Sequence, residues 1–412
     1  METGSRYIIY ALLSLGGISC LYFLCLFAGL PLFVPVLLSA GLCYWLYRQV
    51  VPDNTPQAFI QKRTSWLALG ILTLGLGILT NSAIGVAEKH GLWDAWAIWN
   101  YHARFLLSAE HWRNLFLSNE NDHPDYPLCL PSAVAFLWRL TPGKVAYLIP
   151  FIIAIFTTIA TPVLLFAELY KKHFVVASLA LCLFAYSAFF IRIGVAEYAD
   201  PIVSLFFLAA MVCLDHVLEH KKYVAIAAAL LGCCIWTKNE GVILAVICMA
   251  FYANIFFSRR YIKMTLAGFA LPLLTYALFH TCVVSTNDLV AGLGNDTWEK
   301  IKTPFRYTLI KEWFGHNLID NFPYMKKIFY AYFIVCLLQR KWPGRQMIMV
   351  CTCLLAYMLI YVVTRYDLQW HLETSQNRLM LQMMAPMVYA MCMRFKDIRF
   401  KRAEVPMKWT RP

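Results

Sequence analysis

The side chains able to do chemistry fall in a few short stretches between long apolar runs. Asp94 sits in Trp93-Asp94-Ala95-Trp96-Ala97-Ile98-Trp99-Asn100, directly after one such run. His123-Pro124-Asp125-Tyr126-Pro127 opens the next, and its two prolines fix the backbone around an acid and a tyrosine. Glu197 and Asp200 flank Tyr198-Ala199 at the start of another run, and Thr237-Lys238-Asn239-Glu240-Gly241 joins two more. Arg192 and Arg378 lie at similar boundaries. A carboxylate held at a lipid boundary can take a proton from a hydroxyl nucleophile. A guanidinium or ammonium beside it can hold phosphate oxygens, Arg through its planar fork. Simpler roles compete with these. Asp94 reads equally as a solvated helix cap beside anchoring tryptophans, His-Pro-Asp as a rigid turn, and Arg192 with Glu197 or Lys238 with Glu240 as ion pairs. His123 and His371 are too far apart in sequence to define a metal site; a divalent cation is optional, with Asp125, Glu197 or Asp200 as its ligands.

The elements that must position these residues are membrane helices. The chain has 412 residues, 60% of them hydrophobic and 14% charged, against about 25% charged in soluble domains. It reads as a single all-α polytopic membrane domain over 1–412. Apolar runs long enough for about twelve crossings cover Tyr7–Gly29, Pro31–Tyr47, Trp66–Ala87, Val145–Leu169, Phe174–Ile191, Ala199–His216, Tyr223–Thr237, Gly241–Phe257, Ile262–Val283, Tyr324–Leu338, Ile348–Thr364 and Leu379–Met393. The first is too long for a signal-peptide core and reads as a retained span. Leu128–Leu140 reads as a short or re-entrant helix.

The net charge of +13 comes from Lys and Arg clusters between these runs. That is the positive-inside pattern, and it makes nucleic-acid binding the poorer explanation. The clusters at Arg48, Lys62 and Arg63; Lys171 and Lys172; Lys221 and Lys222; Arg259, Arg260 and Lys263; Arg340, Lys341 and Arg345; and 394–402 all become cytoplasmic with both termini inside. Two long connections are then outside: 88–127, with a helix lying along the surface that presents Trp93, Trp96, Ala97 and Asn100 on one face, and 284–323. Three short outer connections (192–198, 238–240 and 365–378) join them. Most of the 14 cysteines lie inside apolar runs and read as small buried hydrophobes, not as disulfides or metal ligands.

An acid just after an early span, an interfacial helix and a His-Pro sequence opening the next helix resemble the membrane glycosyltransferases of the C superfold. The closest likeness is to protein O-mannosyltransferases and the lipid A aminoarabinose transferase. Tyr198-Ala199-Asp200-Pro201 and Thr237-Lys238-Asn239-Glu240-Gly241 match that pattern in position, and the likeness runs from about Trp66 to Val283. The chain departs from it where Ala95 stands in place of a second acid and where His-Pro is followed by Asp125. The resemblance implies transfer of a sugar from a polyprenyl phosphate to a glycan, lipid or protein acceptor outside the cytoplasm, in a bacterial inner membrane. The base is then Asp94. Substrate contacts fall to His123, Asp125, Tyr126, Glu197, Asp200, Lys238, Glu240 and Arg378. Displacement with inversion needs one such carboxylate, and a departing lipid phosphate needs cationic stabilisation more than an acid. The competing enzyme is a polysaccharide polymerase or ligase using polyprenyl diphosphates, with Arg306, Lys311 and His316 carrying the chemistry. A transporter is the weaker competitor, because no internal repeat is visible.

Overall fold

The computed structural model describes residues 1–51, 62–117, 123–141, 143, 145–285, 287 and 292–395. The basic tail assigned to the cytoplasm lies outside the described residues from 396 onward. Among the described residues all regular structure is helical. The N-terminal half comprises α1 (Thr3–Phe27), α2 (Phe33–Val50), α3 (Lys62–Val86), α4 (Asn100–Phe105), α5 (Cys129–Leu140), α6 (Leu148–Leu169), α7 (Phe174–Ala185), α8 (Ala188–Gly194) and α9 (Ala199–Asp215). It is followed by α10 (Lys222–Thr237), α11 (Glu240–Phe251), α12 (Ala253–Phe256), α13 (Ile262–His280), α14 (Thr297–Lys302), α15 (Pro304–Asp320), α16 (Pro323–Leu338), α17 (Arg345–Val363) and α18 (Leu368–Phe395).

At the centre lies α9, buried at every position from Ala199 to Leu214. A helix apolar all round belongs inside a bundle, and α6, α10 and α18 pack around this one. Among the described residues five helices are long and apolar enough to cross a bilayer: α1, α3 from Trp66, α6, α13 and α17. A sixth is gained if α7 and α8 are one broken span. The other apolar runs form helices that miss that length or apolarity. The apolar runs thus form a mixture of long and short helices, of which five or six have the length and apolarity of a crossing. At 1.5 Å per residue the 12 residues of α5 reach only about 18 Å.

Two boundaries differ from the sequence reading for identifiable reasons. Phe174–Ile191 is not one helix. It bends by 66° between α7 and α8, where the Ser187 hydroxyl accepts from the Phe190 amide at 3.3 Å and caps a new helix. The stretch 365–378 is not a loop either, because α18 begins at Leu368 and continues through Arg378. Its outer part packs on α15, which turns Ile310, Phe314 and Asn317 inward. There the Asn317 amide donates to Gln376. The described part of the connection 284–323 is thus largely helical, in α14 and α15.

Candidate functional site

Five segments bring the chemistry-capable residues to one end of α9: the stretch before α4, the turn before α5, the α8–α9 link, the α10–α11 link and the middle of α18. Close approach of backbones makes this possible. A Cβ on Gly91, whose φ is +67°, would lie 2.5 Å from the Ala196 carbonyl oxygen. On Gly241 it would lie 1.9 Å from that of Cys234. Only glycine lets these two links reach their partners.

The Arg378 guanidinium donates through Nη1 to Asp94 Oδ2. It also lies over the Tyr198 ring, 5.4 Å from its centroid, and the Tyr198 hydroxyl faces the Asp94 amide at 3.4 Å. Lys238 Nζ donates to Asp200 Oδ1 at 3.0 Å and pairs with Glu240 Oε1 at 3.2 Å. Gln382 Nε2 donates to the same Asp200 oxygen at 2.7 Å. Asn239 Nδ2 donates to Asp125 Oδ2 at 2.8 Å, and Asn100 Nδ2 to Glu197 Oε2 at 2.7 Å. Tyr126 is stacked between Trp99 and His123, with centroids at 5.6 and 4.4 Å, and its ring faces Lys238.

Every residue singled out in the sequence for this site is in or against this network, with two qualifications. Arg192 does not pair with Glu197 but faces a separate groove. His371 bonds Thr364 Oγ1 through Nδ1 at 2.8 Å, among Tyr361 and Tyr366. Among the described residues no cluster of His, Cys, Asp and Glu is arranged to hold a metal ion.

The expected surface face of Trp93, Trp96, Ala97 and Asn100 is not what forms. Ala95–Trp99 is a π-helical turn. Its wider winding, common at functional sites, leaves Trp93 and Trp96 exposed while Asn100 swings inward onto Glu197. Sequence reasoning also missed Gln382, a lone amide inside the apolar run Leu379–Met393. An uncharged polar group in such a run demands a partner, and that was the available signal.

The cluster has an excess of acceptors. Glu197 Oε1, Asp200 Oδ2, Asn239 Oδ1 and Glu240 Oε2 are buried without a donor among the described residues. Glu197 also has φ +62°, a left-handed conformation uncommon for a side-chain-bearing residue. Burial pushes its carboxyl up to about 7, against the opposing hydrogen bond from Asn100. A carboxyl raised in the folded state stabilises the fold while protonated, and that contribution is lost as pH rises from about 4.5 towards 7. Thermal unfolding in detergent should therefore show the wild type losing more stability across that window than Glu197→Gln does. Parallel curves would mean that Glu197 does not carry the effect.

No family model, curated protein or solved structure matches the chain.

Proposed function

We propose that the protein is an inverting membrane glycosyltransferase that moves a sugar from a polyprenyl phosphate to an acceptor hydroxyl on the non-cytoplasmic face of a bacterial inner membrane. One observation carries the proposal. Asp94 is the most exposed carboxylate of the cluster: its side chain is 17% exposed, against 11% for Glu240, which is paired with Lys238, and 0% for Asp200. Asp125 and Glu197 are buried as well.

In this reading the acceptor oxygen attacks the anomeric carbon while its proton passes to Asp94. The bond from that carbon to the phosphate oxygen breaks, and the lipid phosphate leaves with the electron pair. Arg378 orients Asp94 through one nitrogen and offers its remaining N–H groups to the departing phosphate. Lys238 is enclosed by Asp200, Glu240 and Tyr126, so its role is to position the cluster. Unpaired buried acceptors suit hydroxyl-bearing ligands, since each sugar hydroxyl brings a donor.

The long and short helices together make about twelve crossings with both termini inside, which puts 88–127 and 284–323 on the face of the cluster. The polymerase or ligase alternative is less well served. Its central residue, Arg306, donates to the Val362 and Tyr361 carbonyls at 2.9 and 3.1 Å and so terminates α17.

The deciding experiment presents the purified protein with polyprenyl monophosphate sugars, hexosyl and pentosyl, plus an acceptor mixture. Release of polyprenyl phosphate, followed by mass spectrometry, is the expected result. Release only from diphosphate-linked glycans would transfer the assignment to the polymerase or ligase class.

A further inference from the structure

On the far side of α18 from the cluster lies a groove of about 360 Å³, between the α7–α8 elbow and the start of α16. Arg378 and Gln382 are four residues apart on one face of α18, the face that meets Asp94 and Asp200. Met384, two residues beyond Gln382, points the other way and forms the floor of the groove. The site above therefore does not account for it.

Three features define its chemistry. Arg192 and Asp320 both line it, both are exposed, and no ion pair among the described residues involves either one. Tyr186 and Tyr324 stand at its rim with 69% and 60% of their surfaces exposed. That placement is typical of side chains at the headgroup level of a bilayer. Below the rim the α7 wall continues as an exposed apolar stripe, Val175 and Leu179, on the face of the lining residue Leu183. Phe189 and Phe322 meet edge to face at 5.2 Å where the two walls join. The groove thus offers one cation and one anion at headgroup level, above an apolar track.

We infer that this groove seats a glycerophospholipid with a zwitterionic phosphoethanolamine headgroup, its phosphate on Arg192, its ammonium on Asp320 and its chain along the apolar stripe of α7. Charge complementarity selects that occupant. A phosphodiester matches the planar fork of Arg192, and Asp320 repels a purely anionic lipid while attracting one that carries an amine. A polyprenyl phosphate brings two negative charges and no amine, so it leaves Asp320 opposed. Binding is non-covalent and needs no other reactant.

The test is native mass spectrometry of the full chain, exchanged from detergent into an equimolar mixture of phosphatidylethanolamine and phosphatidylglycerol. The wild type should retain phosphatidylethanolamine in preference to phosphatidylglycerol. Arg192→Gln should lower its retention about tenfold, the scale of a lost charge-assisted hydrogen bond. Asp320→Asn should keep phospholipid bound but equalise phosphatidylethanolamine and phosphatidylglycerol. Both positions are exposed, and unchanged thermal unfolding of the variants would verify that they fold. No preference in the wild type, a preference for phosphatidylglycerol, or retention unaltered in both variants would each overturn the inference.

Discussion

Asp94→Asn is expected to cut sugar transfer by about 100-fold or more, the lower range of what a positioned base contributes, while the protein inserts and unfolds as the wild type does. The substitution is nearly isosteric. The asparagine Oδ1 still accepts from Arg378, so the pairing that fixes α18 against the stretch before α4 persists in neutral form. What disappears is the capacity to hold the proton of the attacking hydroxyl. The neighbouring carboxylates cannot take over. Asp200 is fully buried and already bonded to Lys238 and Gln382. Asp125 is buried and bonded to Asn239, Glu197 is turned onto Asn100, and Glu240 is paired with Lys238. The measurement is turnover in the release assay on purified variant, with thermal unfolding beside it. Near-normal turnover would leave Asp94 with the simpler role of a structural partner to Arg378.

The sequence made the identity of this cluster readable but not its wiring. A charge next to an apolar run is costly unless it has a partner, so Asp94, Asp125, Glu197, Asp200, Lys238, Glu240 and Arg378 stood out by type and position alone. Their pairings depend on which short helices end at the same depth, and helical periodicity does not report depth. Lys238 with Glu240 is two residues apart and was legible. Arg378 with Asp94 spans 284 positions and was not. The π-helical turn at Ala95–Trp99 shows a second limit, because a pattern analysed at 3.6 residues per turn places Asn100 on the wrong face. Hydropathy also hides elbows such as Tyr186-Ser187, where the apolar run continues while a serine cap redirects the backbone. The likeness to a glycosyltransferase family rests on short motifs, and the functional reading rests on the geometry they form.

The second large effect concerns stability. Lys238→Met is expected to cost about 3–5 kcal/mol, the range for removing one partner of a buried ion pair, read as a marked drop in thermal unfolding temperature in detergent. Lys238 is the ammonium bonded to Asp200, whose side chain is 0% exposed. Without it Asp200 keeps one donor, the Gln382 amide, and Glu240 loses its cation as well. Buried in a bundle, that negative charge has no water to turn to. The cost should be local in origin, which a second variant exposes. Adding Asp200→Asn removes the stranded charge while the asparagine oxygen still accepts from Gln382, so the double variant should recover most of the loss. A single variant as stable as wild type would mean that Arg378 compensates Asp200 unaided. Recovery of stability without recovery of turnover would be informative in its own right. Gln382 lies one helical turn below Arg378, so the Lys238–Asp200–Gln382 chain sets the height and rotation of α18, and through them the approach of Arg378 to Asp94.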